Sequence, residues 1–192
     1  MLVAIEGLDG CGKTTIAKML SERLNFEYKS DYLEKMLNID DTEFYSIKKR
    51  INECENNNEI RALLFISALL FGFHSKSNQD ICYDRSILSE YLFDGFEETE
   101  EYFDLIVKKG YVPDLTVVLY GNIEILEKRV KYRNNEEKDY EAILNSEAKY
   151  KKMLDFAKRN KINFQIIDIA NKSIDEVFEE CQKIILEYRR RY

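Results

Sequence analysis

Gly7-Leu8-Asp9-Gly10-Cys11-Gly12-Lys13-Thr14-Thr15 is the stretch whose reading decides the fold. It follows Leu2-Val3-Ala4-Ile5-Glu6, a short apolar run with a β-branched centre, and precedes Ile16–Leu24, which has helical spacing. Gly7, Gly12, Lys13 and Thr14 meet the pattern G-x-x-x-x-G-K-[ST] in full. The glycines let backbone N–H groups turn inward around a phosphate. Lys13 brings a mobile positive charge to the β- and γ-phosphates, Thr14 offers a hydroxyl to Mg²⁺, and the following helix presents its positive end. A strand, a phosphate-binding loop and a helix are therefore expected over residues 2–24.

The rest of the chain continues that pattern. Strands are expected at Leu2–Glu6, Phe26–Lys29, Asp80–Asp84, Leu115–Tyr120 and Phe164–Ile169. Between them the spacing predicts helices at Thr14–Leu24, Tyr32–Leu37, Thr42–Glu53, Glu59–Ser75, Ile87–Gly95, Glu100–Lys109 and Ile123–Tyr132. An apolar stripe from Tyr140 to Ala157 predicts one helix over about Asp139–Asn160, and Ile174–Arg190 closes the chain. Alternating strands and helices make βαβ units, so the fold class is α/β, in three layers around a mostly parallel five-stranded sheet. In such sheets ligands sit at the carboxyl ends of the strands. The loop after β-strand one, Asp84 and the loop after Ile169 all fall there. With 192 residues, no repeat and no linker, one domain over 1–192 is expected.

Composition narrows the classes. The chain carries 36 acidic and 29 basic side chains, a net charge of −7, which argues against nucleic-acid binding through a broad basic face. Cys11, Cys54, Cys82 and Cys181 show no metal-ligand spacing and read as reduced thiols of a cytoplasmic protein. Met1 leads directly into the first strand, so no signal peptide is expected, and the longest apolar run, Ala62–Phe73, is too short to span a bilayer. In Glu59–Ser75, apolar residues from Ile60 to Phe73 cover almost the whole circumference. A helix apolar all round is buried on all sides, which predicts a homodimer through 59–75. His74 closes this helix, where a surface or capping role is expected.

Ile81-Cys82-Tyr83-Asp84 is an apolar strand ending in an acid, placed to bind Mg²⁺ directly or through water. Arg85 follows at once, then Ser86 and Ser89. The alternative is structural: Asp84 or Ser86 as a helix cap and Arg85 in an ion pair.

With the phosphate-binding loop, Ala62-Leu63-Leu64-Phe65, Tyr83-Asp84-Arg85-Ser86 and Pro113-Asp114-Leu115-Thr116, the sequence resembles the thymidylate kinases, P-loop enzymes allied to the deoxynucleoside kinases. The motifs span most of the chain in the same order. The resemblance implies ATP and Mg²⁺ as cofactors and a nucleoside monophosphate as acceptor. It places Asp9 beside the acceptor sugar, Asp84 and Arg85 at Mg²⁺ and the acceptor or transferring phosphate, and Phe65 against the base. Leu126–Arg133 is similar to the lead-in to a lid near 133–139, whose Arg129 and Arg133 would neutralise the transferring group. The loop at Asn171 resembles an adenine-contacting loop. The implied nucleotide cradle is thus Gly7, Asp9, Gly10, Cys11, Gly12, Lys13, Thr14, Thr15 and Asn171, with Lys13, Arg85, Arg129 and Arg133 catalytic and Thr14 and Asp84 at the metal.

The sequence also departs from these families. Where thymidylate kinases carry Arg-Glu-Pro-Gly after the second strand, this chain has Phe26-Glu27-Tyr28-Lys29-Ser30-Asp31, and apolar Leu69 or Leu70 replaces a thymine-reading arginine. A deoxynucleoside kinase, with Asp31 or Glu27 as base for a 5′-hydroxyl, is the alternative reading. A regulatory nucleotide-binding protein on a degenerate kinase fold is a third. A GTPase is disfavoured, because Asp175 lies one place too late after Asn171 to read guanine.

Overall fold

The computed structural model describes residues 1–74, 78–133 and 143–191, without the side chains of 132 and 133. Five strands form one sheet: β1 (Leu2–Gly7), β2 (Glu27–Lys29), β3 (Ile81–Asp84), β4 (Leu115–Tyr120) and β5 (Phe164–Asp168). Their spatial order is β2-β3-β1-β4-β5, and every pairing is parallel. The sheet is therefore wholly parallel rather than mostly so. Each connection runs through at least one helix, which leaves no hairpin to reverse a strand.

The β1 sequence shows why it is central. Val3, Ala4 and Ile5 are completely buried, because helices cover both faces of the sheet. The register sets Ile5 opposite Asp84 and Gly7 opposite Leu119, so the carboxyl ends of β1, β3 and β4 finish side by side. Helix α1 (Lys13–Leu24) leaves β1 through the loop and returns the chain to β2. Then come α2 (Tyr32–Leu37), α3 (Asp41–Asn52) and α4 (Asn57–His74) before β3. Helices α5 (Ile87–Asp94) and α6 (Glu100–Lys108) lead to β4; α7 (Ile123–Arg133) and α8 (Ser146–Arg159) lead to β5; α9 (Ile174–Arg191) ends the described chain.

Two expectations need correction. Helix α8 begins at Ser146 rather than near Asp139, because Asn145 takes a left-handed conformation (φ 55°) that ends helical continuity. Residues 139–142 lie outside the described part. Helix α4 starts at Asn57, inside the expected asparagine loop, and Ser75 lies beyond the described residues. Within one chain α4 is covered on part of its circumference only. Ala62, Ile66, Ala68 and Leu69 are buried, while Ile60, Leu63 and Phe71 remain 41%, 48% and 46% exposed. His74 is on the surface beside Tyr111, as expected. The four cysteines are free thiols. No helix among the described residues is long and apolar enough to cross a membrane.

Candidate active site

Gly7 opens the loop at φ 138°, and a Cβ there would lie 2.5 Å from the carbonyl oxygen of Leu119 and 2.8 Å from Cys11 Sγ. Only glycine lets β1 and β4 approach this closely while the chain turns. Cys11 is thereby a small buried side chain packed beneath the turn. The loop is tied from behind by Tyr150 of α8, which the sequence reading missed. Its phenol donates to Leu119 O at 2.8 Å and accepts from the N–H groups of Leu8 and Gly121, each at 3.3 Å. Its signal in the sequence is faint, one of two aromatics among the charges of α8.

Lys13 is buried and donates to Leu8 O at 2.8 Å, with Asp9 Oδ1 3.5 Å away. Asp9 also forms an ion pair with Arg85. Burial raises the pKa of the Asp9 carboxyl, but Arg85 and Lys13 together outweigh it and hold the group below the usual carboxylate range. Arg85 sits at φ 72°, a left-handed position that costs a non-glycine residue on the order of 1 kcal/mol or more. Its N–H donates to Ile5 O at 3.1 Å and its carbonyl accepts from the Tyr32 phenol at 3.4 Å. Tyr32 reaches this place because Gly72 of α4 has no Cβ to meet its ring.

Glu6, also missed, fixes the turn after β3 from below. Completely buried, it accepts from Ser86 N at 2.7 Å, Ser86 Oγ at 2.9 Å, Ser89 N at 3.3 Å and the Ser89 hydroxyl. Burial raises its pKa against those bonds and the nearby Arg85. Ser86 occupies the cap position of α5 but makes no capping bond with its side chain; Glu6 satisfies the helix start instead. Asp84 is not the cap: its side chain faces Tyr28, whose phenol donates to Oδ2 at 3.0 Å, while the ion pair of the structural alternative is present between Arg85 and Asp9.

Three cavities line up along the carboxyl ends of the strands. One, of about 490 Å³, is bounded by Asp9, Gly10, Gly12, Lys13, Thr15 and Ile174, together with Thr14, Arg85 and Arg129. A second, of about 280 Å³, shares Thr14 and Arg85 with it and is walled by Phe65, Phe44, Asp31, Glu34, Asp84 and Glu90 among others. A third, of about 500 Å³, shares Arg129 and reaches Asn171 and Lys172. Arg129 Nη1 donates to Cys11 O at 3.3 Å, so α7 touches the loop directly. The structure thus brings together the candidates from the sequence whose side chains are described, except Glu27, which lies opposite Ile81 at the amino end of β2 and pairs with Lys29 at 3.6 Å. The side chain of Arg133 and the expected lid tip at 134–138 lie outside the described residues.

Glu90 is the third residue missed. Burial, with Asp94 adding to it, pushes its carboxyl up to about 8. It stands one helical turn after Ser86, which was its only signal. Asp31 holds the cap position of α2 at φ 53° without a capping bond from its side chain, which instead accepts from Ser30 Oγ at 2.6 Å.

The donor set fits a divalent ion. Thr14 and Asp84 line the same cavity with hard oxygen atoms, and Asp84 Oδ1 is buried with no hydrogen-bond partner. Among the described residues no three His, Cys, Asp or Glu side chains converge as a cage. An ion held here would draw its remaining ligands from phosphate and water.

The family model described as Thymidylate kinase matches residues 5–181. A protein described as probable thymidylate kinase 1 of Saccharolobus solfataricus is 31% identical, covering 96% of this chain and 96% of its own. A probable thymidylate kinase of Sulfolobus acidocaldarius is 30% identical, covering 97% of each. Among solved structures, deoxyadenosine kinase from M. mycoides with bound dATP superposes with a TM-score of 0.67 over 96% of this chain and 99% of that one, at 19% identity. That level of identity establishes a shared fold.

Proposed function

Because the chain belongs to the thymidylate kinase family, we propose that it transfers the γ-phosphoryl group of ATP, with Mg²⁺, to a nucleoside monophosphate. The observation that carries this reading is the row of three cavities joined at Arg129 and at Thr14 with Arg85. Donor base, phosphates and acceptor need that sequence of spaces, and the two junctions carry the groups phosphoryl transfer requires.

In this reading Asn171 and Lys172 border the adenine, and the N–H groups of Gly7–Thr15 cradle the phosphates. Lys13 neutralises the β- and γ-oxygens. Thr14 and, through water, Asp84 hold the Mg²⁺, which supplies charge neutralisation on the phosphate oxygens when bound. Arg85 orients the acceptor phosphate, and Asp9 faces the acceptor sugar while fixing Arg85. Arg129 and Arg133 stabilise charge in the transition state, with the lid near 133–139 closing the site within one domain. Phe65 stacks on the base. A phosphate acceptor is already ionised, so no strong general base is required.

A second reading, transfer to a nucleoside 5′-hydroxyl, is favoured by the acidity of the acceptor cavity. Among its described lining residues Asp31, Glu34 and Asp84 face one cation, Arg85, while burial keeps the Glu90 carboxyl largely neutral, which suits a neutral acceptor with Asp31 as base. A thermal-shift panel of nucleosides and monophosphates with a non-hydrolysable ATP analogue separates the two. A ligand at a hundredfold excess over its Kd stabilises the fold by about 2.7 kcal/mol, roughly 5–10 °C for a chain of this size. Turnover of nucleosides but not of their monophosphates would sink the first reading.

We also infer a homodimer through 59–75, supported by the exposed Ile60, Leu63 and Phe71 of α4, and a cytoplasmic location, supported by the four free cysteines. Sedimentation tests it: a monomer at high micromolar concentration refutes it.

A further inference from the structure

We propose that Tyr28 is a positioning residue for the divalent ion: it pins one oxygen of Asp84 and thereby presents the other. The inference rests on the Mg²⁺-dependent reading of the site. It concerns the stretch Glu27–Asp31, where the sequence departs most from the family pattern.

The register carries the argument. Tyr28 lies opposite Cys82 in the parallel β2–β3 pair. Side chains alternate along a strand, so Tyr28, Cys82 and Asp84 project from the same face. Asp84 is two residues further along, about 6.6 Å of strand rise, a span that a tyrosine ring and its hydroxyl bridge. The phenol reaches Asp84 Oδ2 at 3.0 Å. The same face is covered by α1, since Lys18 Nζ lies 5.8 Å from the centre of the Tyr28 ring. Lys18 stands one helical turn after Thr14, so Thr14, Tyr28 and Asp84 share one layer.

The chemistry follows from the carboxylate's symmetry. The final torsion of an aspartate is broad and roughly two-fold, so its oxygens exchange unless something distinguishes them. Here Oδ2 has a donor, while Oδ1 is buried with no partner and its residue lines the cavity that Thr14 also lines. The Tyr28 hydroxyl leaves Oδ1 as the oxygen available to a metal or to its water, and it fixes the plane of the group. Partners of this kind behind a ligand commonly matter about 10–100-fold in metal affinity.

Mn²⁺ affinity, measured by electron paramagnetic resonance in the presence of a non-hydrolysable ATP analogue, tests the proposal. Tyr28→Phe is expected to weaken Mn²⁺ about tenfold, with affinity for the analogue in EDTA unchanged. In an Asp84→Ala background, Tyr28→Phe should add almost nothing, because the carboxylate it pins is gone. Unchanged Mn²⁺ affinity in Tyr28→Phe, beside a wild type that binds Mn²⁺, overturns the role of Tyr28 alone. Equal losses with and without metal make the residue merely structural and also overturn it. A wild type that binds the analogue without binding Mn²⁺ removes the metal reading and this proposal together.

Discussion

Two acids of the site answer oppositely to burial. Asp9, in the cavity around the phosphate-binding loop, is held below the usual carboxylate range because Arg85 and Lys13 outweigh its burial. Glu90, in the neighbouring cavity with Phe65, is pushed up to about 8 because burial and Asp94 outweigh Arg85. The first cavity concentrates positive charge on buried, well-tied groups, as a site for phosphate must. The second concentrates acids beside aromatic rings and has one arginine at its mouth. Chemistry is thus assigned to the loop side and selection to the acceptor side, and substitutions in the two regions should differ in kind as well as size.

The largest effect should come from the loop side. Lys13→Met is expected to abolish turnover, a loss of at least about 10³-fold for a preorganised charge on a transferring phosphoryl group. The folded state should persist, since the methionine keeps most of the apolar stem. Steady-state rates with each candidate acceptor check it. Unaltered turnover would defeat the assignment of chemistry to this cavity. Arg133→Ala should act next most strongly, lowering kcat by about 10²-fold with little change in ATP affinity, because charge of this kind acts mainly in the transition state. Equal losses in binding and turnover would remove Arg133 from the catalytic set.

The same contrast explains what the sequence made legible. The loop side is built from consecutive residues and backbone geometry, so Gly7–Thr15 announces it, and the carboxyl-end rule for parallel sheets places Asp84 and Asn171 beside it. The acceptor side is assembled from side chains of α2, α3, α4 and α5 together with the ends of β2 and β3. None of these stretches has a local pattern that announces a cavity. Tyr28 depends on the β2–β3 register, which no spacing within one strand encodes. Glu6 looked like the end of an apolar strand, and only the packing of β1 beneath α5 shows that it caps that helix. Tyr150 works through three backbone groups, one from the loop after β1 and two from the end of β4 and the residue after it. The all-round apolar character of α4 is plain from its sequence, but which part of its surface stays open depends on how α2, α3, α5 and α6 cover the rest.

The smallest effect is the one that tests the acceptor side directly. Glu90 has its ordinary pKa near 4.5 in the unfolded chain and one near 8 in the folded protein. Below the lower value the carboxyl is protonated in both states and contributes nothing to the pH dependence of stability. Between the two values the unfolded chain releases the proton while the folded protein keeps it, so stability falls as pH rises; above the upper value the penalty is constant. Glu90→Gln keeps the shape and cannot ionise. Its Tm relative to wild type should therefore rise between pH 5 and pH 8, by ~2–4 °C for each kcal/mol of penalty removed. Asp9→Asn should show the reverse sign: the depressed Asp9 pKa stabilises the fold above the unfolded value near 3.8, and that contribution disappears as acid protonates the group in both states. If the Glu90→Gln difference were the same at pH 5 and pH 8, Glu90 would be an ordinary ionised acid. The acceptor cavity would then hold one more negative charge at neutral pH, which weighs further against a phosphate-bearing acceptor and towards a nucleoside.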